Sequence, residues 1–345
     1  MRQAVLTTPG DIIIRDIPMP GELQPNEILL KIHKIGVCGS DIHVFHGKHP
    51  FVTKYPVIQG HEYSGEIIKV GTNVRSAKPG MKATARPQVV CGKCPPCKRG
   101  QYNVCQNLTV QGFVANGSAQ DFFVVTEDRI VVVPDSVTYD QAALIEPAAV
   151  GAHSTIRAGD LKGKNVVVAG SGTIGNLIAQ FVIARGAKKV LLTTAKSDFR
   201  LGIAKKCGIA ETANLSKEKF PDAVKRVFGE EGFQVGFEAA GAQGAVTDLI
   251  AGVENGGTII IVGVFEENPV VNMGFLGEHE LNVLGSMMYR QEDYEEAVRF
   301  IAEGRILTTP LITSHFPFEE YLAAYKFIEK QGDKSLKVMI DVSEN

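Results

Sequence analysis

The sequence lacks a strong charge of either sign. Its 36 Lys and Arg stand against 38 Asp and Glu over 345 residues, a formal net charge of −2. A balance this even creates no field that would draw nucleic acid or an anionic membrane, so neither is expected as a partner. No leader is expected either: the start, Met1-Arg2-Gln3-Ala4-Val5, has no apolar h-region and reads directly as a first strand. A cytoplasmic protein is expected on that ground. Repeats and low-complexity linkers are absent too. One uncharged run, 166–184 (VVVAGSGTIGNLIAQFVIA), has the length of a membrane span, but Gly170, Gly172 and Gly175 break it and Asn176 and Gln180 lie inside it. A strand, a tight turn and a buried helix account for it better.

What is present fits an ordinary globular chain of about two domains, long enough to bury a large core. Two textures follow one another. Residues 1 to about 145 hold short strand-like runs separated by turn residues: Gln3–Leu6, Ile12–Asp16, Glu27–Ile35, Ser64–Val70 and Phe122–Thr126. Helices are hard to find there, so a β-rich domain is expected. From about residue 150, strands alternate with helices. Strands are expected at Val166–Ala169, Val190–Thr193, Val235–Ala239 and Thr258–Val262, and helices at Ile174–Arg185, Phe199–Cys207 and Gly244–Val253. That alternation implies crossovers and a parallel sheet. The tail carries a helix near Glu292–Glu303 and a strand near Lys337–Val342.

Four of the six cysteines crowd together as Cys91, Cys94, Cys97 and Cys105, a C-x2-C-x2-C-x7-C spacing. With no secretory leader expected, such crowding argues for metal before disulfides. Four thiolates around zinc make a closed tetrahedral site, which fixes a lobe and does no chemistry. A zinc-ribbon nucleic-acid module would use the same ligands. It would also need a basic face, and the overall charge is negative.

A second constellation is dispersed. Cys38 lies in Gly36-Val37-Cys38-Gly39-Ser40-Asp41-Ile42-His43, His61 and Glu62 in Gly60-His61-Glu62-Tyr63, and Glu146 precedes Pro147. A thiolate, an imidazole and a carboxylate can hold zinc with one position left for water or substrate, the arrangement of catalytic zinc. Spacing alone does not bring them together. Val166–Ala169 then runs into Gly170-Ser171-Gly172-Thr173-Ile174-Gly175, a strand, G-x-G-x-x-G and a helix start. In that context Gly170 permits the tight turn, Gly172 admits a pyrophosphate to the backbone, and Gly175 lets helix and strand pack closely. Phosphates would meet the free N–H groups of the helix start, with Thr173 and Ile174 among the cofactor-binding residues.

GVCGSDIH, GHEYSGEI, the cysteine lobe, NGSAQDFF at 116–123, the glycine fingerprint and GGTIIIVG at 256–263, in this order, resemble the zinc-containing medium-chain alcohol and polyol dehydrogenases of the sorbitol dehydrogenase type. The resemblance covers essentially the whole chain. It implies an α/β protein: a GroES-like β-rich catalytic domain, 1–147 with 285–345, and a Rossmann doubly wound parallel-sheet domain, 148–284. It implies that Cys38 and His61 ligate catalytic zinc, that Glu62 is a direct or exchanging ligand, and that Glu146 binds the zinc or its water. Asp41 would orient His61, Ser40 would pass on the substrate proton, and His43 would connect to solvent. Two zinc ions per chain and NAD(P) follow, as do a polyol or sugar-acid substrate and a homodimer or homotetramer. One departure stands out. Polyol members often carry arginine before the tyrosine in the stretch matching Gly285-Ser286-Met287-Met288-Tyr289, and here that place holds Met288, with Arg290 after Tyr289. A threonine-type amino-alcohol dehydrogenase and a non-catalytic zinc protein with a relict fold are the alternative readings.

NADP is favoured over NAD by the end of the second Rossmann strand. NAD-specific members place Asp or Glu there, and here Thr194 takes the place, followed by Lys196 and Arg200. Lys196 could meet a 2′-phosphate as a point charge and Arg200 as a bidentate donor. Asp198 could serve the ribose instead if the turn is built differently.

Overall fold

The computed structural model describes residues 1–49, 52 and 54–343, which divide into two units. The first unit is Met1–Glu146, Arg290–Ala302 and Ile312–Asn345, and the second is Pro147–Tyr289 with Glu303–Leu311.

The spine of the first unit is the strand Glu27–Val37, whose apolar, β-branched Ile28, Ile32 and Ile35 are fully buried. Along one edge it pairs antiparallel with Glu62–Val70, bringing Gly36 opposite Glu62. On the other edge Glu27–Lys31 pairs with Phe122–Thr126, and Lys34–Val37 with Lys337–Asp341, placing Val338 opposite Val37. Lys337–Asp341 also pairs with Ile312–Pro317, and Glu62–Val70 continues through Lys82–Ala85 to Ile130–Val132, which completes seven strands. The first and last parts of the chain therefore share one sheet beside Cys38.

This unit is less purely β than its sequence suggests. Helices occupy Gly39–Phe45 and Tyr139–Ala143, and the first two residues of another, Ile145–Arg157, also belong to this unit. The second has a readable start. Thr138 Oγ1 accepts from the Gln141 N–H at 3.2 Å and Gln141 Oε1 from the Thr138 N–H at 2.9 Å, a reciprocal capping box.

In the second unit six strands lie parallel in the spatial order Glu211–Asn214, Lys189–Thr194, Asn165–Ala169, Phe233–Glu238, Val253–Ile261, Asn282–Gly285. In chain order this is 3-2-1-4-5-6, the doubly wound arrangement. Helices Thr173–Ala184, Asp198–Lys206, Phe220–Phe228 and Gln243–Gly252 separate the strands along the chain. Val167, Leu191, Phe233 and Ile259 make part of its core. The uncharged run at 166–184 is a strand, a turn and a helix, and among the described residues no helix is long and apolar enough to cross a membrane. Residues 303–311 pack with this unit and not with the tail. The Gln180 side chain donates to the Leu307 carbonyl at 3.2 Å and accepts from its N–H at 2.6 Å, and Arg305 donates to the Ala184 carbonyl at 2.7 Å.

Candidate metal and dinucleotide sites

The lobe at 91–105 is built locally. Cys94 opens the short helix Pro95–Lys98, and Tyr102–Val104 forms one 3-10 turn before Cys105. The four sulfurs lie within 4.8 Å of one another, with Cys94–Cys105 at 3.8 Å and Cys91–Cys105 at 3.5 Å. Sulfurs ~2.3 Å from a tetrahedral zinc would stand about 3.8 Å apart, so the group has the size of a ZnS4 site. Backbone N–H groups of Lys93 and Cys94 hold the Cys91 thiol down at about 6. Burial, then the neighbouring Cys94 and Cys105, push Cys97 up to about 12. Four thiols this close cannot all ionise without a cation among them, and zinc fits that demand.

The second group is assembled from distant strands. Cys38 follows the spine strand and is the N-cap of the helix Gly39–Phe45, and Glu62 opens the strand paired beside it. Cys38, His61 and Glu62 each offer a ligand atom within 4.8 Å of the others. His61 and Glu62 are buried, at 4% and 1% exposure. Asp41 ties the group together: one carboxylate oxygen accepts from the Cys38 N–H at 2.9 Å and the other lies 3.4 Å from His61 Nδ1. Burial opposes a charge on His61, but Asp41 and Cys38 outweigh it and raise its pKa well above the usual value. A sulfur, nitrogen and oxygen set that draws positive charge, with the nitrogen and oxygen donors on buried residues, suits zinc. Ser40 and His43, three apart on one helix, are half-buried on the same helix face. Glu146 is buried on the first turn of its helix but stands outside the group of three.

Lys337 belongs to this site, and the sequence reading missed it. Its ammonium, in a side chain 3% exposed, lies 2.5 Å from Glu62 Oε2 and donates to the Val37 carbonyl at 3.0 Å. Burial works against its charge, yet Glu62, then Cys38 and Glu146, hold its pKa above the usual lysine value. The available signal was one lysine in the otherwise apolar strand start Leu336-Lys337-Val338-Met339-Ile340. A further group, Asp140, His315 and Asp341, also lies within 4.8 Å. There Asp341 already pairs with Lys34 and His315, both at 3.0 Å, so it reads as an ion-pair network.

The glycine fingerprint has the backbone its residues predict. Gly170 adopts φ +123, and a Cβ on it would collide with the backbone of Ala239 and Ala240. A Cβ on Gly175 would overlap the Gly170 carbonyl, whereas Gly172 faces open space. Gly172 is also the N-cap of Thr173–Ala184, so free N–H groups meet that opening. The turn leaves the first strand beside the fourth, where the strand order reverses and ligands of such sheets bind. A dinucleotide pyrophosphate fits this cradle.

At the second strand's end, Thr194 is buried, Lys196 exposed and Arg200 half-buried. Ser197 caps the next helix by accepting from the Arg200 N–H at 3.3 Å. The Asp198 carboxylate is bound by Lys217 at 2.5 Å and Asn214 at 2.8 Å, which together hold its pKa below the ordinary range. In the turn after Gly285, Met288 has φ +48. Arg290 Nε lies 3.2 Å from Glu292.

Residues 24–135 match the alcohol dehydrogenase GroES-like domain and residues 173–303 the zinc-binding dehydrogenase domain. The chain is 31% identical over 347 residues to the sorbitol dehydrogenase of Bacillus subtilis (strain 168), covering 99% of this chain and 97% of that protein. It is 33% identical over 312 residues to the L-galactonate-5-dehydrogenase of Escherichia coli (strain K12), covering 90% of each. Among solved structures, a zinc-binding dehydrogenase from Sinorhizobium meliloti 1021 bound to NADP matches with a TM-score of 0.88 at 27% identity over 99% of both chains. With both of its units matched and a relative aligned along nearly its whole length, the chain belongs to the GroES-like, zinc-binding alcohol dehydrogenase family.

Proposed function

We propose that this dehydrogenase oxidises a secondary alcohol of a polyol or sugar acid, or runs the reverse reduction of the ketose, with NADP preferred to NAD. The observation that carries the reading is the Cys38–His61–Glu62 group, half-buried at Cys38 and buried at the other two, with Asp41 behind it. Zinc, when bound, supplies a Lewis acid at the reacting hydroxyl, and the nicotinamide supplies the hydride acceptor. Cys38 and His61 hold the ion. Glu62 or Glu146 completes the set, and the other remains a nearby carboxylate. Asp41 faces His61 Nδ1, which leaves Nε2 to the metal. Ser40 takes the substrate proton and His43, one turn further along, passes it to water. Gly170, Gly172 and Gly175, with Thr173 and Ile174, receive the pyrophosphate.

The substrate class is supported by relatives named for sorbitol and for L-galactonate. Arginine is missing at Met288, and Arg290 is engaged by Glu292, so the hydroxyl-binding residues differ from those usual in polyol members. The NADP preference is supported by the uncharged Thr194, by exposed Lys196, and by Asp198 being turned to Asn214 and Lys217. The NADP in the Sinorhizobium relative agrees with it. A homo-oligomer is supported by the free edge strand Asn282–Gly285 and by exposed Val270, Met273, Val283 and Met287 nearby in the chain. The four-thiol lobe suits a reducing compartment, in keeping with a cytoplasmic enzyme.

Activity assays across polyols, aldonates and threonine, each with both cofactors, test the proposal. Polyol or aldonate turnover with a higher kcat/KM for NADP is expected, and Lys196→Ala should lower that preference. Turnover of threonine alone would make this an amino-alcohol dehydrogenase. No turnover of any secondary alcohol by zinc-loaded protein would leave the relict-fold reading.

A further inference from the structure

We infer that Glu238 is a positioning residue of the dinucleotide site: its carboxylate occupies the N–H groups of the turn at 239–242 and so sets that turn as a wall against the glycine fingerprint. The inference rests on the proposal that residues 170–175 receive the pyrophosphate.

Three strand ends converge on Glu238. It closes the strand Phe233–Glu238, opposite Ala169 on one side and Ile261 on the other. Its carbonyl accepts from the N–H groups of Val262 at 2.9 Å and Gly263 at 3.0 Å, and Ala239, the next residue, donates to the Ala169 carbonyl at 2.8 Å. A carboxylate is costly at such a place, since Glu238 is fully buried. Burial pushes its pKa above the usual carboxylate value, against the pull of the N–H groups around it.

Those N–H groups account for an acid there. Oε1 accepts from Ala240 at 2.9 Å, from Gly241 at 2.8 Å and from Ala242 at 3.4 Å. The three residues lead into the helix Gln243–Gly252, whose N-cap, Ala242, has no side-chain oxygen to offer. N–H groups converging before a helix make an anion site, and here the protein supplies its own anion. The turn at 170–175 is the opposite case: its N-cap Gly172 has open space in front of it.

The two turns touch. A Cβ on Gly170 would stand 2.7 Å from the Ala239 carbonyl carbon and 2.9 Å from the Ala240 nitrogen, and one on Gly175 3.7 Å from the Ala239 Cβ. On the far side Gly241, at φ +64, has no room for a Cβ beside the Val264 carbonyl. The turn at 239–242 therefore cannot shift without disturbing Gly170 or Val264. A helix cap serves its own helix; Glu238 also fixes the backing of the neighbouring turn.

The test is calorimetric titration of NADP and of NAD onto zinc-loaded wild type, Glu238→Gln and Gly172→Val. Glutamine keeps the size and one acceptor oxygen but loses the charge that strengthens the three bonds. Kd should rise on the order of tenfold in Glu238→Gln, by the same factor for both cofactors because the pyrophosphate is common to them. Zinc content, and kcat at saturating cofactor, should stay near wild type. An unchanged Kd in folded Glu238→Gln, with binding lost in Gly172→Val, overturns the inference and leaves the proposed cradle standing. A Gly172→Val variant that binds as wild type removes the cradle and the inference with it. A changed ratio of NADP to NAD affinity, or losses of kcat and zinc as large as the change in Kd, also overturns the inference. Amide exchange on wild type tests it without a variant. Ala240, Gly241 and Ala242 should exchange slowly in the free enzyme and change little with NADP, whereas 172–175 should slow on binding. Fast exchange at 240–242 in the free enzyme contradicts a turn preset by Glu238.

Discussion

The two candidate metal sites of the first unit are built in opposite ways. Cys91, Cys94, Cys97 and Cys105 come from fifteen consecutive residues and use one donor type. Cys38, His61 and Glu62 use three donor types, and the lysine that balances them lies 275 residues from Glu62. A site closed by four thiolates has no position left for a substrate, whereas a site of three mixed ligands has one. The first needs only a local turn. The second needs the whole sheet, because Cys38, Glu62 and Lys337 stand at the ends of three neighbouring strands. Damage to the lobe should therefore appear in stability, and damage to the assembled site in chemistry.

The sharpest way to break this contrast is His61→Ala or Cys38→Ser. Turnover should drop by about 10²–10³-fold or more, the scale on which removal of one electrostatic stabiliser acts. Circular dichroism and cofactor affinity should stay near wild type, and a kcat near wild type would end the assignment.

Lys337→Met comes next. It leaves Glu62 buried without its cation, and breaking one side of such a pair costs about 3–5 kcal/mol of unfolding free energy. Urea denaturation of Lys337→Met, Glu62→Gln and the double variant measures the coupling. A loss below ~1 kcal/mol would mean that the pair does not support the site.

Asp41→Asn should weaken zinc at the assembled site by about 10–100-fold while leaving the lobe's zinc in place. Competition with a chromogenic chelator resolves the two ions. Equal loss from both, or from neither, removes Asp41 as the orienting group.

The smallest expected effect on turnover belongs to Cys94→Ser. Its melting temperature should fall by about 5 °C or more, with kcat in the folded fraction close to wild type. A large loss of kcat at unchanged melting temperature would reverse the roles of the two sites.

Legibility in the sequence follows the same division. The cysteine lobe and the glycine turn were readable because their geometry is local: two-residue gaps set thiolates around one point, and Gly170 and Gly175 stand where a side chain would collide. Strands rich in β-branched residues, such as Glu27–Val37, announced themselves as well. The edge strands Glu211–Asn214 and Asn282–Gly285 did not, since neither four-residue run carries a clear apolar alternation. The helix Phe220–Phe228 was also passed over, and Pro221 in its first turn is the start signal that was there to be used. Lys337 was legible only as a lone lysine in an apolar strand start; its partner was not, because the register of Lys337–Asp341 against Glu27–Val37 brings it to Glu62 and no local pattern encodes that pairing.

Zinc quantification on purified wild type and His61→Ala, paired with turnover on the same samples, tests the central claim most directly. The account predicts two zinc ions per chain and activity in wild type, against one zinc ion and no activity in a folded, cofactor-binding His61→Ala. One zinc ion in fully active wild type, or two in an inactive variant, would contradict it.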